Sequence, residues 1–137
     1  MSDRGVIYNT GRKQQIVSFK NLVYGTITPT DIDMVIEYHN KGYVICEVKY
    51  RETPVPNGQK LALERMVIDF GKTKQAIAIV VEHDVENVNE QIDAAQCIVR
   101  EVFISGKGES KWRPLNRRVN LKQAIDLFIK WVEQTHE

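Results

Sequence analysis

The chain is poor in the residues that staple small domains together. Its two cysteines, Cys46 and Cys97, stand far apart in apolar surroundings with no Cys-x-x-Cys or Cys/His spacing, so neither a disulfide framework nor a zinc site is expected. No segment repeats, and none is low in complexity. No apolar run approaches the length of a membrane span, and the polar start, Met1 to Gly5, does not read as a signal peptide, so a reducing, cytoplasmic setting is expected. A net charge of +1 gives no bulk argument for or against nucleic acid as a partner. Histidines are few and scattered (His39, His83, His136), and His83 beside Asp84 reads as a surface or capping residue before it reads as a base.

What is present suits one globular domain spanning residues 1–137, long enough to bury most of its unfolded surface. Charge is distributed unevenly. Residues 105–122 carry Lys107, Lys111, Arg113, Arg117, Arg118 and Lys122 against Glu109, whereas residues 82–101 hold Glu82, Asp84, Glu86, Glu90, Asp93 and Glu101 against Arg100. The basic stretch with Trp112 is the candidate for gripping phosphates and stacking a base, although such runs are often solvated loops.

Periodicity gives a coarse order of elements. "NTGRKQQIVSFKNL" predicts a first helix with Asn9 or Thr10 as cap and Ile16, Phe19 and Leu22 inward, and "NLVYGTI" a short strand before Pro29. Residues 31–38 and 43–50 read as strands. "GQKLALERMVIDF" places Ala62, Leu63, Met66, Val67 and Phe70 at helical spacing. "KQAIAIVVEH" is a nearly continuous apolar run, as a strand buried on both faces requires. "AAQCIVREVFI" reads as a further strand, with residues 88–100 partly helical as the alternative, and "NLKQAIDLFIKWVEQ" as a last helix capped by Asn120, with Leu121, Ile125, Phe128 and Val132 on one face. A mixed sheet flanked by helices follows.

The stretch "DIDMVIEYHNKGYVICEVKY" puts charges where a small protein buries a sheet. Side chains alternate, so Asp31, Asp33, Val35 and Glu37 share one face, and Tyr43, Ile45, Glu47 and Lys49 share one face of the next strand. A loop of Asn40, Lys41 and Gly42, with glycine at the positive-φ position, would pair His39 with Tyr43, Met34 with Val48 and Asp33 with Lys49. Ile32, opposite Tyr50, would join Met34, Ile36 and Tyr38 on a wholly apolar reverse face. Glu47 would lie diagonal to Asp33, within about 8 Å at the backbone. Two carboxylates and an ammonium on one patch suit a hard divalent cation and phosphodiester hydrolysis. The bland alternative is a solvated sheet face with an ion pair between Lys49 and Asp33. A Glu-x-Lys triplet alone carries little weight, and Glu109, Ser110 and Lys111 form a second copy.

At these residues the sequence resembles the PD-(D/E)XK nuclease superfamily, whose signature is an Asp on one strand followed by Glu or Asp, any residue, and Lys on its hairpin partner. The spelling is also similar to that of small phage and prophage proteins. The resemblance implies an α/β, restriction-endonuclease-like fold: a mixed sheet with an αβββαβ core flanked by helices. It implies Mg²⁺ or Mn²⁺ held by Asp33, Glu47 and the Val48 carbonyl, Lys49 handling the attacking water, and Gln59, on the helix after the lysine strand, pointing into the site. Asp31 shares a face with Asp33 and stays open as the motif aspartate or an extra acid. Many relatives carry a Glu on the first helix; residues 9–22 contain no acid, leaving Gln14, Gln15 or Asp31 for that place. The implied function is a metal-dependent DNA nuclease, structure-specific or acting in phage DNA processing inside a bacterial host, with RNA as a further substrate to test. Duplex cleavage by so small a domain would call for a homodimer. Lys107, Lys111, Trp112, Arg113, Arg117 and Arg118, with Arg12, Lys13 and Lys20, would contact nucleic acid. The alternative is a catalytically silent nucleic-acid-binding or protein-interaction module with the same fold.

Overall fold

Residues 18–105 and 110–136 are described in the computed structural model of the chain, in two units that divide after Thr30. In the first, Lys20–Leu22 makes one 3-10 turn, and Tyr24 and Ile27 exchange backbone hydrogen bonds of 2.9 and 3.0 Å around Gly25, whose φ is +66°. The expected strand over "NLVYGTI" is therefore a turn: Gly25 in the left-handed region reverses the chain where a strand would have to run straight. Most of the expected first helix lies outside the described residues. Its two described apolar members, Phe19 and Leu22, are exposed rather than inward.

The second unit is a five-stranded mixed sheet of order β1-β2-β3-β4-β5. Its strands are β1 (Met34–Tyr38), β2 (Gly42–Tyr50), β3 (Gln75–His83), β4 (Ile98–Ile104) and β5 (Trp112–Arg113). β2 and β3 run parallel, joined by helix α1 (Asn57–Phe70); the other neighbours are antiparallel. Helix α2 (Leu121–Thr135) follows β5. A 3-10 turn at Ala94–Gln96 takes the first residues of the strand expected over "AAQCIVREVFI".

The two helices cover opposite faces. β3 explains why, since Ala76 to Val81 are all buried and alternate in size. Ala76 and Ala78 leave room for Leu63 and Val67 of α1, while Ile77, Ile79 and Val81 meet Phe128 and Val132 of α2. α2 is fixed at its start by a reciprocal cap: the Asn120 side chain accepts from the Gln123 N–H at 2.8 Å and the Gln123 side chain accepts from the Asn120 N–H at 2.9 Å.

The β1–β2 hairpin departs from the expected register by two residues. Its loop is His39, Asn40 and Lys41, and the pairs are Tyr38 with Gly42, Ile36 with Val44 and Met34 with Cys46. His39 and Asn40 take the positive φ values, +49° and +60°, that were assigned to Gly42. Gly42 serves packing instead. A Cβ there would lie 3.2 Å from Val132 Cγ2 and 3.3 Å from Phe128 Cε2, so its bare Cα is what lets α2 close on the sheet. A shift of two preserves the alternation of faces, so Met34, Ile36 and Tyr38 still join the α2-side core. Ile32 does not: a bend at Asp33 precedes β1, and Ile32 packs with the α1-side cluster.

Two glycines give opposite expectations. At Gly58, in the first turn of α1, an added Cβ meets nothing within 4 Å, so Gly58→Ala should raise unfolding stability by ~0.5–1 kcal/mol. At Gly71 the same atom would lie 2.5 Å from Ser105 Oγ and 2.9 Å from the Val67 carbonyl, so Gly71→Ala should cost about 1–3 kcal/mol. Urea denaturation of the two variants checks both signs.

Candidate active site

Glu47 is the one buried polar side chain among the described residues, 3 % exposed. Its position follows from the strand order. β2 is an inner strand, and the side of it that carries Tyr43, Ile45 and Glu47 faces α1, with Ile45 fully inside that core. Lys49 follows on the same face, its Nζ 3.4 Å from Glu47 Oε1 and its side chain 19 % exposed.

Asp33 comes from the bend just before β1. Its Oδ2 accepts the Val48 N–H at 2.8 Å. Because the last ladder pair is Met34 with Cys46, the next position places Asp33 across from Glu47 and not, as the sequence suggested, across from Lys49. The two carboxyl groups lie close enough to share a hydrogen bond. In a strand the N–H and C=O of one residue point to the same side, so the Val48 carbonyl also opens toward Asp33.

Gln59 sits in the first turn of α1 and donates from Nε2 to the Asp31 carbonyl at 3.0 Å, tying the helix to the approach of β1. Its Oε1 and, with the carboxyl ionised, Glu47 Oε2 are the two buried side-chain oxygens that have no hydrogen-bond partner among the described residues. Both belong to residues singled out from sequence. Native interiors satisfy nearly all such atoms, so each of these two oxygens is a place where a partner would be expected. Asp31 reaches the site through its backbone, and its residue is exposed.

Electrostatics agree with this. Burial, and then the Asp33 charge and the hydrogen bond to it, push the Glu47 carboxyl up to about 7, with Lys49 pulling the other way. One ammonium does not balance two carboxylates. Carboxylate oxygens and a backbone carbonyl are the donor types that a hard divalent cation takes. No group of three or more His, Cys, Asp or Glu that could hold a metal ion occurs among the described residues.

The basic segment is placed differently from the acids. Trp112 and Arg113 form β5 at the far edge of the sheet, three strands from β2 and thus ~14 Å away laterally. The Trp112 ring packs 5.4 Å from Phe103, and its Nε1–H donates to Glu64 Oε2 at 2.6 Å, so the indole expected to stack a base is committed to the α1-side core. Lys111, Arg113, Arg117 and Arg118 are exposed. Lys107, Arg12 and Lys13 lie outside the described residues, and Lys20 belongs to the first unit. His83 caps, as read: its Nδ1 accepts the Val85 N–H at 3.1 Å.

Arg100 was missed. From β4 its Nε donates to Glu82 at 2.8 Å, its Nη1 to the Thr53 carbonyl at 2.8 Å and its Nη2 to the Arg51 carbonyl, which bolts down the turn that follows Lys49. The one sequence signal was its isolation as the lone cation of an acidic segment. The turn is strained: Arg51 has φ +45°, which costs a residue with a side chain ~1–2 kcal/mol. Beside it a cleft of about 470 Å³ is lined by Glu52, Asn57, Lys60, Glu82, Arg100 and Glu101. No protein-family model, curated protein or solved structure matches this chain.

A raised carboxyl has a signed consequence for stability. The Glu47 carboxyl rises from 4.5 to about 7 on folding, so its proton favours the native state fully below pH 4.5, and that contribution is lost as the pH rises through about 7. The loss is on the order of 3 kcal/mol. In metal-free solution Glu47→Gln should therefore melt higher than wild type at pH 8 and show a flatter profile between pH 5 and pH 8. A lower melting temperature at pH 8 would make the pair with Lys49 a structural ion pair.

Proposed function

We propose that the chain is a metal-dependent DNA nuclease with a restriction-endonuclease-like site of the PD-(D/E)XK type. One observation carries the reading: a buried Glu47 carboxylate, one of whose oxygens has no partner among the described residues, set between Asp33 and Lys49 toward the carboxyl ends of a parallel strand pair. The run from β1 to β3 is ββαβ, the order in which the family core continues after its first helix and strand.

Asp33 and Glu47, with the Val48 carbonyl, would hold Mg²⁺ or Mn²⁺, which when bound supplies Lewis-acid polarisation of the phosphodiester. Lys49 supplies a positioned ammonium with three donors. Anchored on Glu47 Oε1 at 3.4 Å, it orients the attacking water and offsets charge that grows on the phosphate oxygens. Gln59, held through Nε2, presents Oε1 as an acceptor for that water or for Lys49, which makes it a positioning residue. Exposed Lys111, Arg113, Arg117 and Arg118 would contact the nucleic-acid backbone. No sequence-reading element stands out, which favours recognition of DNA shape, as in branched or phage replication intermediates.

The test is cleavage of labelled duplex, single-stranded and four-way-junction DNA, and of RNA, in Mg²⁺, Mn²⁺ and EDTA. The expected outcome is metal-dependent cutting that Lys49→Ala and Asp33→Ala each reduce at least 10³-fold, a size typical of electrostatic and proton-handling groups. A folded protein that cuts nothing in either metal would leave a silent binding module.

A further inference from the structure

We propose that Arg51 binds a backbone phosphate of the nucleic acid next to the one being cleaved, and that Glu86 holds its guanidinium in reserve until substrate arrives. The inference rests on the nuclease reading and adds to it a specific substrate contact.

Arg51 directly follows the strand that carries Glu47 and Lys49. Two residues of extended chain, about 7 Å, separate it from Lys49, a distance comparable to the spacing of successive phosphates along a strand. Its backbone is held from three directions. The Arg51 N–H donates to the His83 carbonyl, the Arg51 carbonyl accepts from Arg100, and the Thr53 N–H closes the turn on the Tyr50 carbonyl at 3.0 Å. Within this frame φ is +45°, a region where glycine or asparagine would sit with less strain.

The identity of the residue is not explained by stability. The guanidinium is 49 % exposed and its partner, the Glu86 carboxylate, 73 % exposed, and an ion pair so open to water returns little. The ring of Tyr50, 4.9 Å from the guanidinium carbon, orients the side chain along the surface without burying it. A strained position is thus occupied by the side chain best suited to phosphate, at the end of the proposed catalytic strand. The Glu86 pair is weak enough for a phosphate to displace.

The test uses the Lys49→Ala protein in Mg²⁺, which binds without cutting, and reads fluorescence anisotropy of labelled duplex and junction DNA over a series of salt concentrations. Arg51→Asn keeps a residue tolerant of the left-handed backbone. It should weaken binding about tenfold and reduce the slope of log K against log salt by roughly 0.9, one phosphate contact. Glu86→Gln frees the guanidinium and should tighten binding, by roughly two- to fivefold for loss of an exposed competing charge. Unchanged affinity and slope in Arg51→Asn, in a background that does bind DNA, overturns this inference and leaves the nuclease reading standing. Weakening by both Arg51→Asn and Glu86→Gln makes the pair merely a brace for the turn and overturns it too. A background that binds no nucleic acid, together with wild type that cuts none, overturns the nuclease reading and this inference with it.

Discussion

The buried carboxylate of Glu47 is the constraint around which the rest of the second unit is arranged. Taking a charge out of water is expensive unless it is paired and fully hydrogen-bonded. Here one oxygen faces Lys49, the other has no partner among the described residues, and a second carboxylate, Asp33, sits alongside. Such a group persists only if the surrounding scaffold over-determines it. The ladder to β3, the α1-side core at Ile45 and the Val48–Asp33 hydrogen bond hold it there.

The scaffold divides the work between its faces. On the α2 side the core is apolar from Val44 and Cys46 through Ile79 to Phe128 and Val132, with no charge inside it. Cys46 lies on that face, and burial first, then nearby negative charge, pushes its thiol up to about 12, so it is a packing residue and not a nucleophile. On the α1 side the apolar cluster ends at Ile45, and the charged residues begin where the strands reach their carboxyl ends. Both faces carry an apolar core, and the buried charge lies at the edge of the α1-side one.

Patterns that depend on one segment alone were legible in the sequence. The unbroken apolar run of β3 and the cap and stripe of α2 needed no tertiary information. Parity placed Glu47 and Lys49 on one face of β2 in any register, and the match of that face to the one bearing Asp33 survived a wrong register because the error was an even number of residues. The register itself was illegible for a physical reason. Glycine was assigned to the turn on its conformational freedom, whereas Gly42 is needed because Phe128 and Val132, about 90 residues later in the chain, leave no space for a side chain. The same limit hid Arg100, whose contacts with Arg51 and Thr53 exist only once β4 lies beside β3. Trp112 read as a base-stacking residue because its neighbours are basic, but the structure packs it on Phe103 of β4 and bonds it to Glu64 of α1.

The most direct measurement is the calorimetric titration of the metal-free protein with Mn²⁺ at pH 6.5, in buffers of different ionisation enthalpy, for wild type and Glu47→Gln. A carboxyl raised to about 7 must give up its proton to bind a cation. The expected result is a saturable site in wild type that releases between about half a proton and one proton on binding, with both the site and the release lost in Glu47→Gln. Absence of saturable binding by folded wild type, or binding that Glu47→Gln leaves unchanged, would contradict the assignment of Glu47 and Asp33 as a metal centre.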